Sequence, residues 1–143
     1  MNSTARRELI QKFDQLLEHG DSMSMLIMTV RNTSNGLMAG LAKNAISLDY
    51  PKAGWLDIAR TRKFKAFCKA RGFEVQSVLW GKERVFRATV GSDSSAAADV
   101  VDACFGVVYG ESGPFGLELR GFGWQSSNNS FESDASKTTR TLS

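Results

Sequence analysis

A chain of 143 residues with a single histidine, His19, and two cysteines, Cys68 and Cys104, offers little from which to build a reacting centre. His19 closes an apolar-periodic segment, where a helix dipole favours a protonated imidazole, and no nucleophile or paired carboxylate stands beside it as acid–base chemistry would require. Neither cysteine has a second Cys or a His within metal-ligand spacing, and both lie in apolar helical patterns, the usual setting of buried free thiols. Asp99 and Asp102 fall on one helix turn and could pair, yet a solvated helix face accounts for them equally well. Gly110, Gly113, Gly116, Gly121 and Gly123 suggest a phosphate loop until their context is read: no helix with Lys-Ser/Thr follows them, and no G-x-G-x-x-G opens a helix after a strand. The expectation is a protein that is not an enzyme, with no catalytic residue, no metal site and no cofactor.

Binding is better provided for. Between Lys52 and Arg71 seven basic residues stand against Asp57 alone, while the whole chain carries only +3, so the remainder is net negative. At 100° per residue Arg62, Lys65 and Lys69 line up opposite Phe64 and Phe67, which gives a helix with a basic stripe toward solvent. Such a stripe keeps a protein soluble, meets an acidic protein partner, or neutralises phosphates. Trp80, Phe86 and Phe73 fall on neighbouring strand-like segments, where aromatics pack a hairpin, anchor a partner or stack bases. Gly121-Phe122-Gly123-Trp124 lets the chain pass close over another backbone or presents two aromatics. The candidate partner-binding residues are therefore Trp80, Phe122, Trp124, Arg62, Lys65 and Lys69.

The elements that position them follow from periodicity. Leu9, Ile10, Phe13, Leu16 and Leu17 form the stripe of an amphipathic helix over about 4–19, with Gly20 placed to end it. Met23 to Val30 reads as a strand buried on both faces for part of its length, Asn35-Gly36 as a tight hairpin turn, Leu37 to Leu41 as the returning strand, and Ala45 to Tyr50 as a third strand after a Lys43-Asn44 turn. A second helix over about 55–70 stops at Gly72. Phe73 to Trp80 and Arg84 to Val90 make a second hairpin through Gly81-Lys82. Ser92 or Asp93 caps a third helix that ends at Gly110, and a last strand covers about 114–120. Eleven of the nineteen residues from Gln125 to Ser143 are Ser, Thr or Asn, too polar a run to offset its ordering entropy, which predicts a disordered tail over 125–143 after a single domain over 1–124. The order α-β-β-β-α-β-β-α-β predicts a two-layer α+β fold, an antiparallel meander sheet with helices packed on one face. Residues 1–20 carry no apolar run of signal length, and the apolar stretch Met23 to Val30, broken by Ser24 and Thr29, is far below the roughly 20 residues that cross a bilayer. A cytoplasmic location without membrane attachment is expected.

The opening helix from Glu8 to Leu17, the strand Ser24 to Val30 and the stretch from Gly91 through Asp93, Ala97, Val100, Val101 and Cys104 to Gly110 resemble the type III secretion chaperone-like superfamily, including bacterial TY-Chap and sensory-transduction-regulator-like domains. The resemblance covers about residues 4–120 and rests on element order. It implies a bacterial, chaperone-like or regulatory homodimer that binds another polypeptide. The pI of about 9.0 departs from the acidic character of such chaperones, and the strand after the final helix is additional. The alternative expectation is a nucleic-acid-binding module that uses the basic helix 55–71.

Overall fold

The computed structural model describes residues 1–51, 57–80 and 82–123, with Trp80 described by its backbone alone. Three helices, α1 (Ser3–His19), α2 (Ile58–Ala70) and α3 (Ser94–Tyr109), pack on one side of six strands: β1 (Met25–Val30), β2 (Gly36–Ala42), β3 (Ala45–Pro51), β4 (Val75–Trp80), β5 (Glu83–Gly91) and β6 (Leu117–Phe122). The sheet order is β4-β5-β3-β2-β1-β6, and every neighbouring pair is antiparallel. This is the α+β arrangement the periodicity predicts, in the predicted element order.

Period-two alternation decides which side chains meet the helices. Leu26, Met28 and Val30 of β1, Leu37 and Ala39 of β2, Ile46, Leu48 and Tyr50 of β3, and Ala88 of β5 enter one core with Leu9, Phe13 and Leu16 of α1, Phe64 and Cys68 of α2, and Val101, Cys104 and Phe105 of α3. The central helix of the layer is α3, which touches both α1 and α2. Its ends are set locally: the Asp93 carboxylate accepts from the amides of Ser95 and Ala96, and Gly110 closes the helix in the left-handed region at φ 73°. At the start of α1, the Asn2 side chain accepts from the Ala5 amide at 2.7 Å.

Several boundaries differ from the expectation. Asn35-Gly36 is not the turn; Gly36 already belongs to β2, and the positive φ falls at Asn32 (64°). Thr33 explains the shift, because its hydroxyl donates to Val30 O at 2.8 Å and accepts from the Asn35 amide at 3.0 Å, folding a longer loop before the strand returns. Lys43 and Asn44, at φ 53° and 65°, do form the expected two-residue turn. The last strand lies later than 114–120, since Leu117 to Phe122 is the segment in register with Val30 to Met25. The proposed start of α2 at 55 and the tail 125–143 fall outside the described residues.

Candidate functional site

The stripe on α2 has the predicted form. Arg62, Lys65 and Lys69 are all exposed while Phe64, Phe67 and Cys68 are buried beneath them, and none of the three basic groups forms an ion pair among the described residues. The ammonium of Lys65 sits 4.3 Å from the centroid of the Phe86 ring, a cation–π contact that fixes it over β5. Beside it a groove of about 440 Å³ runs between α2 and β4, with Lys65 and Lys69 on one wall, Phe73, Val75, Ser77 and Phe86 below, and Glu74 immediately before β4 as its one acidic residue. Arg62 belongs to the same stripe without lining the groove.

The groove opens on the sheet edge formed by β4, which has a neighbour only on its β5 side. Its sequence, Val-Gln-Ser-Val-Leu-Trp, contains neither a charge nor a proline, the devices that usually blunt an edge, and Leu79 is 63% exposed. The opposite edge, β6, carries Glu118 and Arg120.

The other candidate residues are dispersed. Phe122 is exposed on β6, with the Arg120 guanidinium 5.9 Å from its ring centroid. Five strand spacings separate β6 from β4, roughly 24 Å at 4.7–4.9 Å per spacing, so Phe122 and the basic stripe do not form one patch. Trp80 stands on β4, and Trp124 lies outside the described residues. Gly123 makes the close backbone pass: at φ 82°, a Cβ there would stand 2.6 Å from Met23 O, and the Ser24 hydroxyl donates to Gly123 O at 3.1 Å.

The potentially reactive side chains are structural. Cys68 and Cys104 are buried free thiols, as predicted; burial pushes Cys68 up to about 11 and raises Cys104 further, so both stay protonated and poorly nucleophilic at neutral pH. Asp99 and Asp102 do not pair with one another: Arg6 holds Asp99 at 2.9 Å, and the Met1 amino group holds Asp102 at 2.9 Å. Among the described residues no group of three His, Cys, Asp or Glu is placed to hold a metal, and no helix is long and apolar enough to cross a membrane.

A second cleft, of about 480 Å³, was not visible in the sequence. It opens where the end of β3, the start of α2 and the end of α3 converge. The Tyr50 hydroxyl donates to Asp57 Oδ2, the Tyr109 hydroxyl donates to Gly36 O at 2.7 Å, and the Arg60 guanidinium lies 4.9 Å from the Tyr109 ring centroid. Burial raises both phenols above the ordinary tyrosine value, so they remain hydrogen-bond donors. Tyr50, Asp57 and Arg60 lie close together in sequence, while Gly36 and Tyr109 join them from the start of β2 and the end of α3; they share no motif.

No family model matches this chain, and no curated protein or solved structure shows significant similarity to it.

Proposed function

We propose that this domain is a non-enzymatic interaction module that binds another polypeptide, holding an acidic, extended segment in the groove between α2 and β4. The observation that carries the reading is the pairing of an uncharged sheet edge with a groove in which two lysines outnumber one carboxylate: β4 has no charge along its six residues, while Lys65 and Lys69 line the groove beside it with Glu74 and form no ion pair among the described residues. An extended segment would satisfy the edge backbone, place apolar side chains on Phe73, Val75 and Phe86, and meet the lysines with its own carboxylates. A second copy of β4 is a poorer occupant, because it brings its own lysine-bearing helix to the same groove.

The reading is tested by titrating isotope-labelled protein with a synthetic peptide of alternating Glu and Val. Amide shifts confined to 65–79 and 83–88, with affinity lowered at least tenfold by Lys65→Glu combined with Lys69→Glu, are expected. Shifts elsewhere, or equal affinity for a Lys-Val peptide, would overturn it.

The nucleic-acid reading remains the alternative, because Arg62, Lys65 and Lys69 are an exposed stripe of the kind that contacts phosphates. Its signature is affinity for a single-stranded oligonucleotide that falls linearly with log salt. The homodimer and the chaperone-like role form part of the first proposal and rest on the resemblance in element order. A light-scattering mass that stays monomeric at high concentration would remove the dimer while leaving the groove untouched.

A further inference from the structure

We infer that the anion read by the groove between α2 and β4 is a phosphorylated side chain, held by Lys65, Ser77 and Arg84 in the middle of an extended segment. The inference rests on the polypeptide-binding reading above and names the partner's chemistry: a phosphoserine or phosphothreonine with apolar residues two places to either side.

The three groups stand on one face of the sheet. Ser77 and Phe86 are cross-strand partners, and Arg84, two residues from Phe86 along β5, points the same way by the period of two. The Arg84 guanidinium donates to Ser77 Oγ at 3.1 Å, so the two side chains meet on that face. Lys65 reaches the same place from α2, with its ammonium 4.3 Å from the Phe86 ring centroid. Two residues of rise, roughly 7 Å, separate the Arg84 and Phe86 positions, so both cations flank the Ser77 hydroxyl. All four residues lie inside described stretches of the chain. Neither Lys65 nor Arg84 forms an ion pair among the described residues. The acid next to Arg84, Glu83, is paired with Trp80 and falls on the opposite face of the strand.

The donors select the anion. Ser77 Oγ accepts from Arg84, while its own proton donates to no group among the described residues. The hydroxyl, the remaining N–H groups of the guanidinium and the ammonium therefore offer three separate donor groups around one point. A carboxylate brings two oxygens and a single charge. A phosphoryl group brings three oxygens and a charge of about −1.5 to −2 at neutral pH, and arginine meets it with two parallel hydrogen bonds. Along β4 the side chains on this face run Val75, Ser77, Leu79, which places the anion between apolar neighbours, with Leu79 63% exposed. A nucleic-acid backbone repeats its charge at every nucleotide and would meet Glu74 at one end of the groove and Leu79 beyond the other; a single phosphate among apolar side chains matches the pattern.

Fluorescence anisotropy with labelled, end-blocked peptides tests the site. Valine and threonine alternate in the peptide, and its central valine is replaced by serine, phosphoserine or glutamate. The phosphoserine form should bind at least tenfold more tightly than the glutamate form and the serine form most weakly, and Lys65→Gln or Arg84→Gln should each bring the phosphoserine form down to the affinity of the glutamate form. Equal affinity of the phosphoserine and glutamate forms would overturn this inference and leave the groove reading in place, whereas no binding of any form would overturn both. Displacement of the phosphopeptide by a single-stranded oligonucleotide at matched phosphate concentration would give the cations to a nucleic-acid backbone and overturn it as well. The three peptides are compared on the unaltered protein, so the outcome does not depend on either variant folding.

Discussion

Asp49 and Arg87 face one another in register across β3 and β5, on the side of the sheet away from the helices, and form a bidentate pair at 3.0 and 2.8 Å. Asp49 is fully buried and Arg87 only 17% exposed. Gly40 makes room for the guanidinium: a Cβ there would stand 3.0 Å from Arg87 Nη2 and 3.2 Å from the buried Ser47 Oγ. Removing one partner strands the other, so Arg87→Met should destabilise the protein by about 3–5 kcal/mol at neutral pH, read as a lower urea midpoint. A change below 1 kcal/mol would show that the carboxylate regains water. Burial raises the Asp49 pKa, and the hydrogen bonds and charge of Arg87 offset this only in part. A carboxyl with a raised folded value contributes stability that is complete below its unfolded value of about 4 and is lost as the pH rises through the folded one. Asp49→Asn should therefore flatten the fall in stability with pH above about 4; parallel urea curves for parent and variant across that range would contradict the shift. The thiols give a kinetic counterpart. Cys68 and Cys104 should react with a disulfide reagent at pH 8 only at the rate of unfolding, and a fast phase in native buffer would contradict their burial.

Among the elements, β4 is the uncharged sheet edge. Leu79 is 63% exposed, so Leu79→Lys should change stability by no more than about 0.5 kcal/mol, yet it places a charge on the unguarded edge and should weaken the Glu-Val peptide severalfold or more. Loss of folding would mean that Leu79 packs more tightly than its exposure states. The helices were legible because their apolar stripes are long and their caps are local: Asp93 and Gly110 bracket α3 within the sequence that forms it. Lys43-Asn44 was legible for the same reason. Asn35-Gly36 misled because the competing signal, a threonine hydroxyl tying Thr33 to Val30, is one ordinary residue among several polar ones. The basic stripe could be read from spacing alone, whereas the cleft of Tyr50, Asp57, Arg60 and Tyr109 could not. Tyr109 joins Tyr50 and Arg60 only once α3 has packed against α2 and β3, and such packing between distant elements leaves no periodic mark in the sequence.

At the scale of the whole molecule, the two ends of the described chain are tied together. The Asn2 amide donates to Phe115 O at 2.8 Å, Arg6 bridges to Asp99, and β6 lies along β1. The bridge is exposed, so Arg6→Ala should cost at most about 1 kcal/mol, checked by urea denaturation; a larger loss would show that Arg6 also packs against α3. The strand pairing matters more. Because β1 is flanked by β2 on one side and by β6 on the other, its outer edge stays bare until residues 117–122 have been synthesised and released from the ribosome. Until then Met25 to Val30 is an open border, which β6 covers with a strand that carries Glu118 and Arg120. Chains halted before residue 117 should associate through that border, and β6 works as a built-in guard that exchanges an apolar edge for a charged one.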